Sequence, residues 1–204
     1  MSLRLLADDG SLAAWAPASP PRVRLLAEPR GARTRAVAGA ARGALAFLGF
    51  EPADASAAPA DLSVSSVPGP GPRLIVGPSS DEEPPFATRG FTDEDFHYLC
   101  LKTHPRKALA FSWEALGAAR SELEALRASA RALAGVTLEP SSRGLTGYQH
   151  RFREALSRDF DFPEALSCVW DGLRPGALSP GSKAAFLRAA LPALGLVPFS
   201  AGRS

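Results

Sequence analysis

The chain has 204 residues, 46% of them hydrophobic, and a formal net charge of only +2. That length suits one domain or two small ones, with enough apolar residues for a packed core. No window approaches the ~20 apolar residues of a membrane span, and the basic excess of a dedicated nucleic-acid binder is missing.

The first third reads as strands followed by a helix. "LRLL" (3–6) and "SLAAW" (11–15) flank "ADDG", whose Asp-Gly step is a hairpin-turn signal. "VRLLAE" (23–28) predicts the next strand, stopped by Pro29. From Arg33 the period becomes helical: Val37, Ala40, Ala41, Ala44, Leu45 and Leu48 share one face, and Gly49 ends it. Of the 18 Gly and 19 Pro, many fall between Pro52 and Pro85, so that stretch predicts loops. Two short strands, "DLSVSS" (61–66) and "RLIVG" (73–77), are embedded in it. Strand, helix, strand in that order suggests a small α/β unit with a crossover helix.

The second half reads as helical. Thr92 precedes Asp93, Glu94 and Asp95, a capped start with acids at the positive helix end. Phe96, Leu99 and Cys100 then face inward. A helix from Ser112 carries Trp113, Leu116, Leu123, Leu126 and Leu133, and Gly135 ends it. Tyr148, Phe152 and Leu156 mark a third helix. Pro163 suits the first position of a fourth, lined by Ala165, Leu166, Val169, Trp170 and Leu173. Ser179-Pro180 opens a fifth, with Phe186, Leu187, Ala190, Leu191 and Leu194 inward and Pro192 bending its last turn. The expected fold is α+β, mainly α: a small α/β unit over residues 1–90, loop-rich from 52, and an antiparallel helical bundle over 91–204.

The candidate sites each have a plainer reading. His97 and Cys100 stand at i, i+3, a spacing open to a shared metal, yet a buried core thiol explains Cys100 better. Lys102, His104, Arg106 and Lys107 form a basic run suited to an RNA backbone, while the same residues at a helix C-terminus also complement the dipole. Asp159 and Asp161 look like paired carboxylates, although Asp161 before Phe-Pro reads as an N-cap. Trp113 and Trp170 read as core before stacking platforms, and "SSDEEPP" (79–85) as a solvated loop. Cys100 and Cys168 are the only cysteines, which fits a reducing cytosol and no disulfide scaffold. "MSLRLLADDG" is no signal peptide, because Asp8 and Asp9 interrupt it. The expectation is a soluble, cytoplasmic protein.

"YLCLKTHPRKALAFSWEAL" (98–116), "ALSRDFDFPEALSCVWDGL" (155–173) and "GALSPGSKAAFLRAALPALGL" (176–196) resemble, in order and spacing, the helical domain of cysteinyl-tRNA synthetases. "LRLL", "VRLL" and "ARGALAFLGFEP" (41–52) are similar to the start of that family, and "RLIVG" to the strand before its second nucleotide motif. The resemblance implies a class I synthetase tRNA-binding bundle behind the remnant of a catalytic domain. It also implies what chemistry to look for. The family cradles ATP with a His-Ile-Gly-His turn at a helix start and a Lys-Met-Ser-Lys-Ser loop, and selects cysteine with zinc. Here the first place reads "LLAEPRGARTR" (25–35), with no histidine before His97. The second reads "VGPSSDEEPPFA" (76–87), with three acids that repel phosphate. Zinc needs about four Cys or His ligands, and His97, Cys100, His104, His150 and Cys168 form no CxxC or HxxxH pair.

The resemblance therefore implies a non-catalytic binding module without cofactor or metal. Its partner is either tRNA, held weakly by its backbone through Lys102, His104, Arg106 and Lys107, or another protein meeting exposed apolar surface. The family's anticodon-reading domain has no counterpart before Ser204. The competing reading is a cysteine ligase that still uses ATP. A third, gene decay, sits badly with caps and apolar stripes that agree with one another.

Overall fold

Leu3–Leu6 (β1) and Leu12–Trp15 (β2) pair antiparallel, with Leu3 opposite Trp15 and Leu6 opposite Leu12. The computed structural model describes residues 3–7, 11–27, 31–55, 60–67, 71–78, 86–140 and 142–196. The Asp9-Gly10 turn signal, Pro29 and the "SSDEEPP" loop lie outside the described residues. Alternation in β1 sends Leu3 and Leu5 into the core and Arg4 to solvent.

Arg22–Ala27 (β3), Ala32–Phe47 (α1) and Glu51–Asp54 (β4) form a strand–helix–strand crossover unit, with β4 parallel to β3. Leu62–Ser65 (β5) joins the other side of β3, and Arg73–Ile75 (β6) lies beyond it. The order is β4-β3-β5-β6 and every ladder is parallel. The strand β4 corrects the expectation of loop from Pro52. It lies at the sheet edge and stays largely exposed, so it shows no apolar alternation, and an edge tolerates the missing N–H of Pro52. Val23, Leu25, Leu62, Val64 and Leu74 are buried in the sheet.

The helix α1 buries Val37, Ala40, Ala41, Ala44 and Leu45 and ends before Gly49, whose φ is +94°. Its small side chains have a packing reason. A Cβ at Gly43 would sit 2.2 Å from the Pro192 carbonyl oxygen, so glycine there lets another helix press onto α1.

That partner belongs to the helical half, which comprises Asp93–Leu101 (α2), Trp113–Ala132 (α3), Arg143–Ser157 (α4), Phe162–Leu173 (α5) and Pro180–Ala193 (α6). Each starts on a side-chain cap. Thr92 and Asp95 close a reciprocal capping box on α2, and Ser112, Ser142, Asp161 and Ser179 cap the rest. Pro163 occupies the second helical position, not the first, because Phe162 is already helical. The N–H lost there has no intrahelical partner anyway.

Helix α2 packs on α3, α4 on α5, and α5 on α6, while α1 packs on both α6 and α2. The crossover helix is thus wedged against the bundle. One buried cluster runs from Leu3 to Leu196 and takes in the sheet, α1 and the helical half. The fold is mixed α and β, with six helices and two small sheets among the described residues. None of these helices is long and apolar enough to cross a membrane.

Candidate functional site

The segment 102–110, between α2 and α3, meets the turn between α4 and α5. That turn has two residues in the left-handed region, Asp159 (φ 53°) and Phe160 (φ 56°). An aspartate tolerates this conformation; a phenylalanine there is held by its surroundings, at a cost of ~1 kcal/mol. Phe160 is fully buried beside Phe162, and the Asp159 N–H donates to the Arg4 carbonyl at 2.7 Å.

The buried Asp159 carboxylate gathers three segments. It accepts the Leu6 N–H at 3.0 Å, the Arg106 Nη2 at 2.8 Å and the Arg106 Nε. Arg106 Nη2 also reaches the carbonyls of Leu6 (3.2 Å) and Arg73 (3.3 Å). His104 Nδ1 accepts the Arg106 N–H at 3.3 Å, and its Nε2 lies 4.0 Å from Asp159. Burial pushes the His104 pKa down, against the pull of Asp159 and Asp161. Accepting three N–H donors from two other segments, the Asp159 carboxylate acts as a joint.

A second tie crosses the same loop. Arg33, buried in the first turn of α1, donates Nη1 to the carbonyls of Gly77 (2.7 Å) and Pro78 (2.8 Å). Its Nη2 donates to Lys107 (2.7 Å), His104 (3.4 Å) and Pro105 (3.4 Å). Burial lowers its pKa, although five carbonyl dipoles compensate the charge. The segment after β6 is pinned there too: the Gly77 N–H donates to Pro105 O at 2.7 Å and the Leu109 N–H to Pro78 O at 2.9 Å. A Cβ on Gly77 would fall 2.3 Å from the Lys107 oxygen.

The four residues of the basic run separate. Lys102 Nζ pairs with Glu122 at 2.6 Å. His104 faces Asp159, and Arg106 is turned into the joint. Lys107 is exposed. Asp159 and Asp161 do not act as a pair, since Asp161 caps α5 by accepting the Glu164 N–H at 3.2 Å. Reading the residues in sequence missed the roles of Arg33 and Asp159, because nearly all their partners lie more than forty residues away.

His97 and Cys100 also part. His97 Nε2 lies 2.8 Å from the Leu194 carbonyl, and burial lowers its pKa. Burial pushes the Cys100 thiol up to about 12 and Cys168 to about 11. Among the described residues no three His, Cys, Asp or Glu side chains gather as a metal site. Trp170 Nε1 donates to the buried Tyr98 hydroxyl at 2.9 Å. Trp113 is half-buried beside Phe91 and Phe111, with Arg89 over its ring at 4.2 Å. Beside the first turn of α1 opens a cleft of about 260 Å³ lined by Ala32, Arg35, Ala36, Asp93, Glu94, Phe96 and His97. That lining mixes Asp93 and Glu94 with Arg35, and Glu94 is also ion-paired with Arg127.

No protein-family model matches the chain. It is 33% identical over 86 residues to cysteine–tRNA ligase 1 of Burkholderia lata. It is 34% identical over 111 residues to the cysteine–tRNA ligase of Klebsiella pneumoniae, and 30% over 127 residues to that of Treponema pallidum. These matches cover 42%, 51% and 53% of this chain but only 17%, 23% and 24% of the relatives. The resemblance to cysteinyl-tRNA synthetases holds, over about half of this chain and a quarter or less of theirs.

Proposed function

We propose that this chain is a non-catalytic relative of the cysteine–tRNA ligases that acts by binding, with tRNA as its partner. The observation that carries the reading is Arg33. A phosphate cradle at a helix start needs free N–H groups and an uncommitted cation. Here Arg33, in the first turn of α1, is bound to five carbonyls of the 77–78 and 104–107 segments. The cleft beside that turn carries Asp93 and Glu94 together with Arg35.

In this reading residues 1–90 are a remnant of a catalytic domain and 91–204 the binding bundle. Contact with tRNA is weak, follows the backbone and weakens steeply with salt. The run Lys102, His104, Arg106 and Lys107 contributes through its exposed members, with Arg106 holding the loop's shape. A protein partner on bare apolar surface has less support, because the large hydrophobics exposed among the described residues, Leu12, Val67 and Leu138, lie on three separate segments.

Filter binding of tRNA at low salt tests the proposal: retention is expected, and none at all would sink the RNA reading. The competing reading, a cysteine ligase, predicts cysteine-dependent exchange of pyrophosphate into ATP. Such exchange would overturn the non-catalytic assignment.

A further inference from the structure

Around the Arg106–Asp159 joint the surface charge is uneven. Arg4 and Arg158 form a backbone bridge, and the Asp159 N–H holds the Arg4 carbonyl at 2.7 Å. Both side chains are exposed. Strand alternation fixes Arg4 outward, and Arg158 is the C-cap of α4. Lys107, also exposed, follows the arginine that bonds to Leu6 O and Asp159. Among the described residues Asp159 is engaged by Arg106 and Leu6, and Asp161 by the α5 N-terminus. Among the described residues no carboxylate pairs with Arg4, Lys107 or Arg158.

Several other cations are ion-paired, Arg22 with Glu51, Arg42 with Asp54, Lys102 with Glu122, and Arg151 with Glu164 and Asp171, whereas the exposed Arg143 and Arg188 pair with no carboxylate among the described residues but stand on separate helices. Two like charges on directly bridged backbone repel each other. An anion between them removes that repulsion, and binding a polyanion also releases its counterions. The buried joint below fixes the backbone that carries the cations, so their bases are preorganised.

We infer that Arg4 and Arg158, with Lys107 on the loop that Arg106 ties to the same joint, form a docking patch for the phosphodiester backbone of a folded RNA. The inference rests on the RNA reading above and moves the contact from the basic run to a pair of arginines 154 positions apart. Guanidinium forks match phosphate oxygens two at a time. A lipid surface, by contrast, draws on a broad basic field or an apolar wedge. The patch gives register and affinity without reading bases.

The experiment is fluorescence anisotropy of fluorescein-labelled bulk bacterial tRNA with the full chain, from about 50 to 200 mM salt. The charge-reversed pair R4E/R158E is compared with R143E/R188E, which reverses two exposed arginines on α4 and α6. Arg143 lies about 22 Å from Arg158 along α4. Expected is a loss of roughly tenfold or more for R4E/R158E, with the log–log salt slope reduced by about 2, against about threefold or less for the control. The neutral pair R4Q/R158Q, at an unchanged melting temperature, shows the same direction. Equal losses in both reversed pairs overturn the patch and leave the RNA reading standing. No binding by the wild type sinks both. Retention on phosphatidylserine vesicles but not on tRNA, lost with R4E/R158E, overturns the RNA assignment.

Discussion

Arg106 and Asp159 stand 53 residues apart and close an ion pair in which the Asp159 side chain is only 4% exposed. The stretches that contain them, 98–116 and 155–173, are two of the three segments whose sequence resembles the helical domain of cysteinyl-tRNA synthetases. The pair shows why both stretches hold together as a unit: each supplies one side of a single joint. Replacing Asp159 by Asn leaves a mostly buried guanidinium uncompensated, at an expected cost of about 3–5 kcal/mol in urea unfolding. In the double variant R106Q/D159N the losses should fall short of additive by ~1 kcal/mol or more. Additive losses would mean that the two side chains do not act together.

Arg33 makes a separate prediction. Lysine keeps the charge but reaches far fewer than five carbonyls from one ammonium. Arg33→Lys is expected to cost roughly 2–3 kcal/mol. The amide protons of Gly77 and Leu109, which bond across the same loop, should then exchange faster with deuterium. An unchanged unfolding midpoint would show that the clamp is not needed.

Two glycines should respond in opposite directions. Gly77→Ala drives a methyl group into the Lys107 carbonyl and is expected to destabilise by about 1–3 kcal/mol. Gly117 lies inside α3 with nothing within 4 Å of a new Cβ, and Gly117→Ala should stabilise by about 0.5–1 kcal/mol. Equal effects would contradict the close approach at Gly77.

Stability should fall in mild acid. Burial lowers the folded-state pKa of His97 and of His104 below the ordinary value of 6.5. The unfolded chain therefore binds protons at a higher pH than the folded one. This contribution is complete above pH 6.5 and is lost as pH drops from there through the folded-state values. Urea midpoints measured between pH 8 and 5 should show the decline, and His97→Gln should flatten part of it. A profile for H97Q that overlays the wild type would refute the role of His97.

Both thiols should be slow to react. Cys100 and Cys168 are buried, with pKa values pushed up to about 12 and about 11. Ellman's reagent at pH 8 is expected to label neither in the native state and both in urea. Rapid native labelling of one cysteine would place it at an accessible, activated site.

The helices were legible because their signals are local. Thr92, Ser112, Asp161 and Ser179 each accept a backbone N–H three positions ahead, so caps and apolar spacing can be read along a single segment. The strand β4 was hidden because an edge strand containing Pro52 has no apolar alternation to betray it. The basic run was visible as a run, but its division between Glu122, Asp159 and solvent depends on which elements pack beside it.

By itself the amino-acid order determined where most of the helices begin, which faces they bury and which family the chain resembles, since these follow from residues a few positions apart. Only the tertiary structure decided that Arg33 clamps two loops and that Asp159 joins three segments. It also set the backbone of Arg4 beside that of Arg158. Such relationships rest on backbone carbonyls and amides whose positions exist only once distant segments have packed, and those groups are chemically alike at every residue.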